Sequence, residues 1–111
     1  MAIVNQQLTT TQLDMLTVPA SKSYAITNIL VCNNHASATA LFDLHLIPAG
    51  SSLNNAVTRV INNLELPAGE TFTFDNEKIV LEVGDKIAFV AEPDIGSGLT
   101  NLAATVSYLE V

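Results

Sequence analysis

Between Leu66 and Glu92 the chain reads LPAGETFTFDNEKIVLEVGDKIAFVAE, and its side chains alternate in character with a period of two. That period is what a strand imposes, because successive side chains point to opposite faces. Pro67-Ala68-Gly69 opens the stretch as a turn, since proline fixes φ and glycine accepts the positive φ that other residues resist. Thr71-Phe72-Thr73-Phe74 then combines β-branched and aromatic residues with no helix former. From Lys78 to Val83, Ile79, Leu81 and Val83 share one face. After a Gly84-Asp85 turn, Ile87, Phe89 and Ala91 share the next, with Lys86 and Glu92 bracketing the other side. The spacing predicts a tight antiparallel hairpin, Lys78–Val83 with Lys86–Glu92, whose inner face carries these six apolar side chains. Two strands are marginal in water, so a second sheet has to cover them.

The rest of the chain supplies that cover. Leu13 to Val18 is a short strand ended by Pro19, which holds the preceding residue extended. Tyr24 to Asn33 is a long strand with Ile29 and Val31 on one face and Ile26, Leu30 and Cys32 on the other. Both faces are apolar, so the strand is central and covered, or lies in an interface. In Thr39 to Ile47, Phe42, Leu44 and Leu46 point inward while Asp43 and His45 point outward. Ser51–Ala56 is a loop with room for one helical turn. In the strand from Val57 to Leu66, Val60, Leu64 and Leu66 oppose Arg59, Ile61, Asn63 and Glu65, and Asn62 interrupts the apolar face at a bulge. Pro93–Gly98 is a Gly/Pro-rich loop. Leu102 to Val111 closes the fold with Ala104, Val106 and Tyr108 on one face. About eight short strands with turns every 8–12 residues predict an all-β chain, an antiparallel β-sandwich of Ig-like or jelly-roll-like type. Residues 13–111 form its single domain.

Residues 1–12 form an N-terminal arm, because Met1–Thr11 is uncharged and follows neither period. Such a segment is either a frayed terminus or an extended strand that pairs with a neighbour's sheet edge and orders on assembly, anchored by Ala2-Ile3-Val4.

Composition points the same way. Of 111 residues 49% are hydrophobic and only 14% charged, against roughly 25% charged in an average soluble domain. No apolar run approaches the ~18 residues of a membrane span, and no basic segment followed by an apolar one marks a signal peptide. The low charge is explained instead by surface that neighbouring subunits cover. Candidate assembly contacts are Ile3, Val4 and Leu8 on the arm, with Leu30, Cys32, Ile61 and Val80 on second strand faces. The net charge of −7, with four cations, excludes a basic footprint for nucleic acid.

Reactive chemistry is poorly supplied. Cys32, the single cysteine, sits in an apolar run as a small hydrophobe, and no positioned base accompanies it. His35 falls in a loop and His45 on a wet strand face, and with Asp43 they lack the spacing of a metal site. The acids flanking the hairpin include no calcium-loop pattern. No nucleophile elbow, P-loop, dinucleotide fingerprint or paired-cysteine motif occurs. The expected role is binding or building rather than catalysis, with no metal and no cofactor.

The run TVPASKSYAITNILVCNNHASATALFDLHLIPAG, followed by LELPAGETFTFDNEKIVLEVGDKIAFVA, resembles small virion structural proteins of tailed bacteriophages, especially those of cyanobacterial and marine phages. The likeness covers Thr17 to about Ala91. Two departures stand out: Ser21 occupies the position of a usual glycine, and Glu82-Val83 precedes Gly84 where small residues are common. The resemblance implies a β-sandwich repeated over a phage particle. It points to a capsid decoration (cement) protein on the outer surface of the virion, made in the host cytoplasm. Its partner would be the major capsid protein or another virion protein. By analogy it would be a homo-oligomer, with a trimer favoured, and it would contact neither nucleic acid nor membrane. A tail, neck or fibre-attachment component is the alternative within the virion. A host-surface module contacting glycan through Asn33–Ser37, Ser51–Ala56 and Pro93–Asn101 is the alternative outside it.

Overall fold

The computed structural model describes residues 2–74, 79–91 and 99–111. Nine strands follow one another: β1 (Ala2–Thr9), β2 (Leu13–Thr17), β3 (Tyr24–Asn33), β4 (Ala40–Ile47), β5 (Arg59–Leu66), β6 (Thr71–Phe74), β7 (Ile79–Leu81), β8 (Lys86–Ala91) and β9 (Leu99–Glu110). They build two antiparallel sheets packed as a sandwich. The first has the order β1-β9-β3-β6, with β7 also on β3, and the second has the order β2-β8-β4-β5. No helix occurs among the described residues.

The core lies between the sheets. Ile29, Val31, Leu102, Ala104 and Val106 of the first sheet meet Phe42, Leu44, Ile87 and Phe89 of the second, all nearly sealed from solvent. Phe42 packs against Phe89 with ring centroids 6.1 Å apart and against Phe72 edge-on at 5.8 Å, geometries that aromatic pairs favour.

Several expectations change at irregularities of the ladders. Tyr24, Ile26, Ile29 and Val31 all face the core, although an unbroken period of two would put Ile26 and Ile29 on opposite faces. The register against β9 slips between Ile26 and Asn28, and the extra residue restores the phase. In β5, Phe42 pairs with Leu64 and Leu44 with Ile61, so the extra residue falls at Asn62-Asn63. Asn63 takes φ +48° and donates its N–H to Asp43 Oδ1 at 2.6 Å. This bulge reverses the expected faces for the residues before it, while Leu64 and Leu66 face the core as expected. Ile61 packs on the core, whereas Val60 is half exposed.

The predicted hairpin of Lys78–Val83 with Lys86–Glu92 does not form. β7 pairs with β3 in the first sheet, while β8 pairs with β2 and β4 in the second. The turn at 82–85 carries the chain across the sandwich, closed by Asp85 N–H to Glu82 O at 3.0 Å. Val18 holds it there, since its N–H donates to Asp85 O and its carbonyl accepts from Gly84 N–H. Leu81 and Ile87 stay in the core, but Val83 is half exposed at the crossing. Alternation shows that both segments are strands with one apolar face. It does not show whether they share a sheet.

Three turns repeat one device. Ser51 N–H donates to Pro48 O, Glu70 N–H to Pro67 O and Asp85 N–H to Glu82 O, each with a positive-φ glycine third. At Gly84 (φ +85°) a Cβ would lie 2.8 Å from that of Ala49, so the turn and its neighbour exclude any side chain. Pro19-Ala20-Ser21 has the same spacing, and Ser21 takes φ +66°. That left-handed conformation is one that glycine adopts with less strain than serine.

The arm expected at residues 1–12 also differs. Ala2–Thr9 is extended, but it is an edge strand of this chain's own sandwich, antiparallel to β9 from Ala2↔Tyr108 to Gln7↔Ala103. Leu8, expected as an assembly contact, is sealed in the core, and Val4 packs against it. Leu8, Val4 and the ladder with β9 together tie this otherwise polar segment down.

Candidate functional site: the outer face of the first sheet

The pairings of the first sheet set which side chains share its outer surface. From one end, Leu109, Ala25 and Val80 form a row across β9, β3 and β7, followed by Ile3, Ser107 and Asn28. Asn5, Thr105, Leu30 and Thr73 form the third row, and Gln7, Ala103, Cys32 and Thr71 the fourth. No charged residue occurs in these rows, on a chain whose net charge is −7. Among the described residues an ion pair, Lys22 Nζ to Glu110 Oε1 at 3.0 Å, sits at the sheet's end. Ile3, Val80 and Leu109 are the large exposed apolar side chains in these rows.

Of the expected contacts, Ile3, Leu30, Cys32 and Val80 come together on this face, and Leu8 and Ile61 do not. Cys32 is half-buried, with its thiol 3.4 Å from Asn34 Oδ1, and stands beside Ala103 and Thr71. Thr27, displaced by the bulge, reaches Ser107, with the two hydroxyl oxygens 2.6 Å apart. Asn28 Oδ1 is buried without a hydrogen-bond partner. A buried acceptor left unpaired carries a desolvation cost, which an added donor on this surface would relieve.

The outer face of the second sheet is different in kind. Lys86 Nζ lies 3.4 Å from Asp14 Oδ2, and Arg59 Nη1 3.7 Å from Asp43 Oδ2. His45, expected to be wet, is fully buried. It does point outward, opposite Ala88 in the ladder, but the segment ending at Thr58 folds back over it. His45 Nδ1 and Thr58 Oγ1 are 2.8 Å apart, and that hydroxyl also engages Asn54 through its N–H and its carbonyl. Asn54 O further accepts from the N–H groups of Val57 and Thr58, the single turn foreseen for this loop. His45 Nε2 is left unpaired. Burial holds the imidazole below its ordinary pKa, with Asp43 opposing that shift and Arg59 adding to it. Among the described residues no group of three or more His, Cys, Asp or Glu side chains could hold a metal.

The loops proposed for glycan are partly committed to the fold. Asn33 is fully buried and donates to Ala38 O and Leu66 O at 2.9 and 2.8 Å. Its Oδ1 accepts from His35 N–H, and His35 Nδ1 accepts from the N–H groups of Ser37 and Ala38. At Ser51–Ala56 an open depression of about 300 Å³ is lined by Ser51, Ser52, Asn54 and Thr58 among others. Pro93–Gly98 lies outside the described residues.

Sequence inspection missed the uncharged face as a unit because its members come from five strands far apart in the chain. The signal available was the second apolar face of Tyr24–Asn33 together with the absence of charge in Met1–Thr11. Comparison with protein-family models gives no match, and comparison with curated proteins gives none either. No helix among the described residues is long and apolar enough to cross a membrane.

Proposed function

We propose that this chain is a non-catalytic building element of a bacteriophage virion. Its first role is capsid decoration, bridging neighbouring shell subunits from outside through the outer face of its first sheet. The observation that carries this proposal is that, among the described residues, no charged side chain occurs in the rows of this face, on a strongly acidic chain. A shell protein can cover such a face without stranding an unpaired charge, and burying one is expensive. The rest of the surface is acidic, which keeps the protein soluble and turns it away from packaged DNA. Resemblance to small phage virion proteins supplies the kind of particle, and the face supplies the mode of attachment.

The test is binding to expanded capsids. The wild-type protein should co-sediment with them at a fixed ratio and raise their melting temperature. Val80→Lys and Leu30→Glu, on the proposed contact surface, should abolish both effects while the purified proteins stay folded. Saturable binding that survives both substitutions would count against this surface. Failure to bind capsids, with binding to isolated tails or necks instead, would move the chain to the tail, neck or fibre-attachment position.

The depression beside Ser51–Thr58 favours a second role, recognition of host glycan, because its hydroxyl and amide groups suit a sugar. A glycan array would show binding lost in Asn54→Ala, and an empty array would remove this alternative.

A further inference from the structure

The sandwich has four sheet edges, and three of them are blunted. β2 is five residues long, carries Asp14 and slips register between Asp14 and Leu16. β5 carries Arg59 and Glu65 and is bent by the left-handed Asn63. The far edge of the first sheet is divided between β6, of four residues, and β7, of three. Short strands, charges and bulges are the devices by which proteins prevent edge-to-edge pairing. β1 has almost none of them. It runs for eight residues, AIVNQQLT, without proline or charge, and among the described strands it is paired with β9 and ends the sheet on its other side. Ala2, Ile3, Asn5 and Gln6 are exposed along it, and its ladder is regular from Ala2 to Gln7.

We infer that the open edge of β1 pairs antiparallel with β1 of a second copy of this chain, joining two first sheets across a two-fold axis near Asn5. Centred there, Ala2 stands opposite the partner copy's position 8, Ile3 opposite position 7 and Val4 opposite position 6. Asn5 meets its own equivalent, where two amides can exchange hydrogen bonds. Residues opposite one another then have the same parity, so core-facing positions meet core-facing positions and the two uncharged outer faces become one continuous surface. A second copy fits this edge because it brings an uncharged strand of equal length. Between two copies of net charge −7, an uncharged strand edge brings no acid against acid. The joint closes after two copies, giving a dimer in place of the trimer that analogy suggests. It follows from the strand edges alone and holds whether or not the chain decorates a capsid.

Sedimentation velocity of the purified protein over a dilution series tests it. Wild type should be a concentration-dependent dimer. Asn5→Lys sets two like charges directly opposite one another and should weaken dimerisation by about ten-fold or more. Thr73→Lys, at the far edge of the same face, should leave the dimer intact. Circular dichroism checks that each variant folds. Should Asn5→Lys fail to fold, amide exchange on the wild-type protein decides, with protection of residues 3–6 rising with concentration if the edge is paired. A wild type that stays monomeric, a dimer lost in Thr73→Lys but kept in Asn5→Lys, or amide protection independent of concentration would each overturn the pairing.

Discussion

On the outer face of the second sheet, Asp14 meets Lys86, Asp43 meets Arg59, and a loop returns to bury His45 under Thr58. On the outer face of the first sheet, four rows of uncharged side chains have no such ion pair or returning loop among the described residues. The two faces have similar strand geometry, so the difference lies in what each side chain has already spent its interactions on. The second face is committed within the chain, and its residues contribute to stability. The first face, among the described residues, carries no ion pair, and its side-chain bonds include Thr27 with Ser107 and Cys32 with Asn34; on the proposed reading it is the surface a partner covers. Substitutions on the second face should therefore lower folding stability, and those on the first should alter association.

The sharpest way to break this contrast is Ile47→Ala. Ile47 is almost fully buried, yet it stands apart from the main core, on the outward phase of β4 with His45. The substitution should cost about 2–4 kcal/mol in chemical denaturation, as for other large-to-small changes at sealed sites. A loss below half a kcal/mol would mean that the second face is no better packed than the first. Next comes Thr58→Val, which keeps the shape but removes the hydroxyl shared by His45 and Asn54. About 1–3 kcal/mol should be lost, because buried partners are left unpaired.

The same roof should respond to pH. His45 is held below its ordinary value of 6.5 in the folded chain, mainly by burial. Its neutral form is therefore the one that folding favours, and the unfolded chain takes up the proton first. The contribution is fully present above pH 6.5 and is lost as pH falls through 6.5 toward the lower folded value. Denaturation midpoints between about pH 7.5 and about pH 5.5 should fall for the wild type, in a range above most carboxylate titrations. They should fall less for His45→Phe, and an equal fall in both would assign the effect elsewhere. The smallest effect should come from the first face. Val80→Lys, exposed in the free chain, should change stability by no more than about 0.5 kcal/mol. A larger loss would show that this face already holds the fold together.

Much of the sandwich was legible from period and turns. The strands around Phe42, Phe72, Phe89 and Val106 were foreseen, as were the bulge near Asn62 and the turns at Gly50, Gly69 and Gly84. Pairing was not legible. Ile79 and Ile87 have the same alternating surroundings, yet they stand in different sheets, because Gly84, Asp85 and Val18 turn the chain through the layer. Ile26 and Ile61 had their faces misassigned because each adjoins a bulge, and one extra residue reverses everything beyond it. Four of the seven expected assembly contacts share the outer face. Leu8 and Ile61 are drawn into the core, and Val4 leans against it.

The order of residues by itself determined that this chain is all-β, that most of its strands carry an apolar face and that charge is scarce, because each of these is a local or summed property. Only the tertiary structure decided where the scarcity is concentrated. Strands distant along the chain, Ala2–Thr9, Tyr24–Asn33 and Leu99–Glu110, lie side by side through backbone hydrogen bonds that any sequence can make. Which of their faces share a surface is fixed by packing against Phe42, Phe89 and their neighbours on the other side.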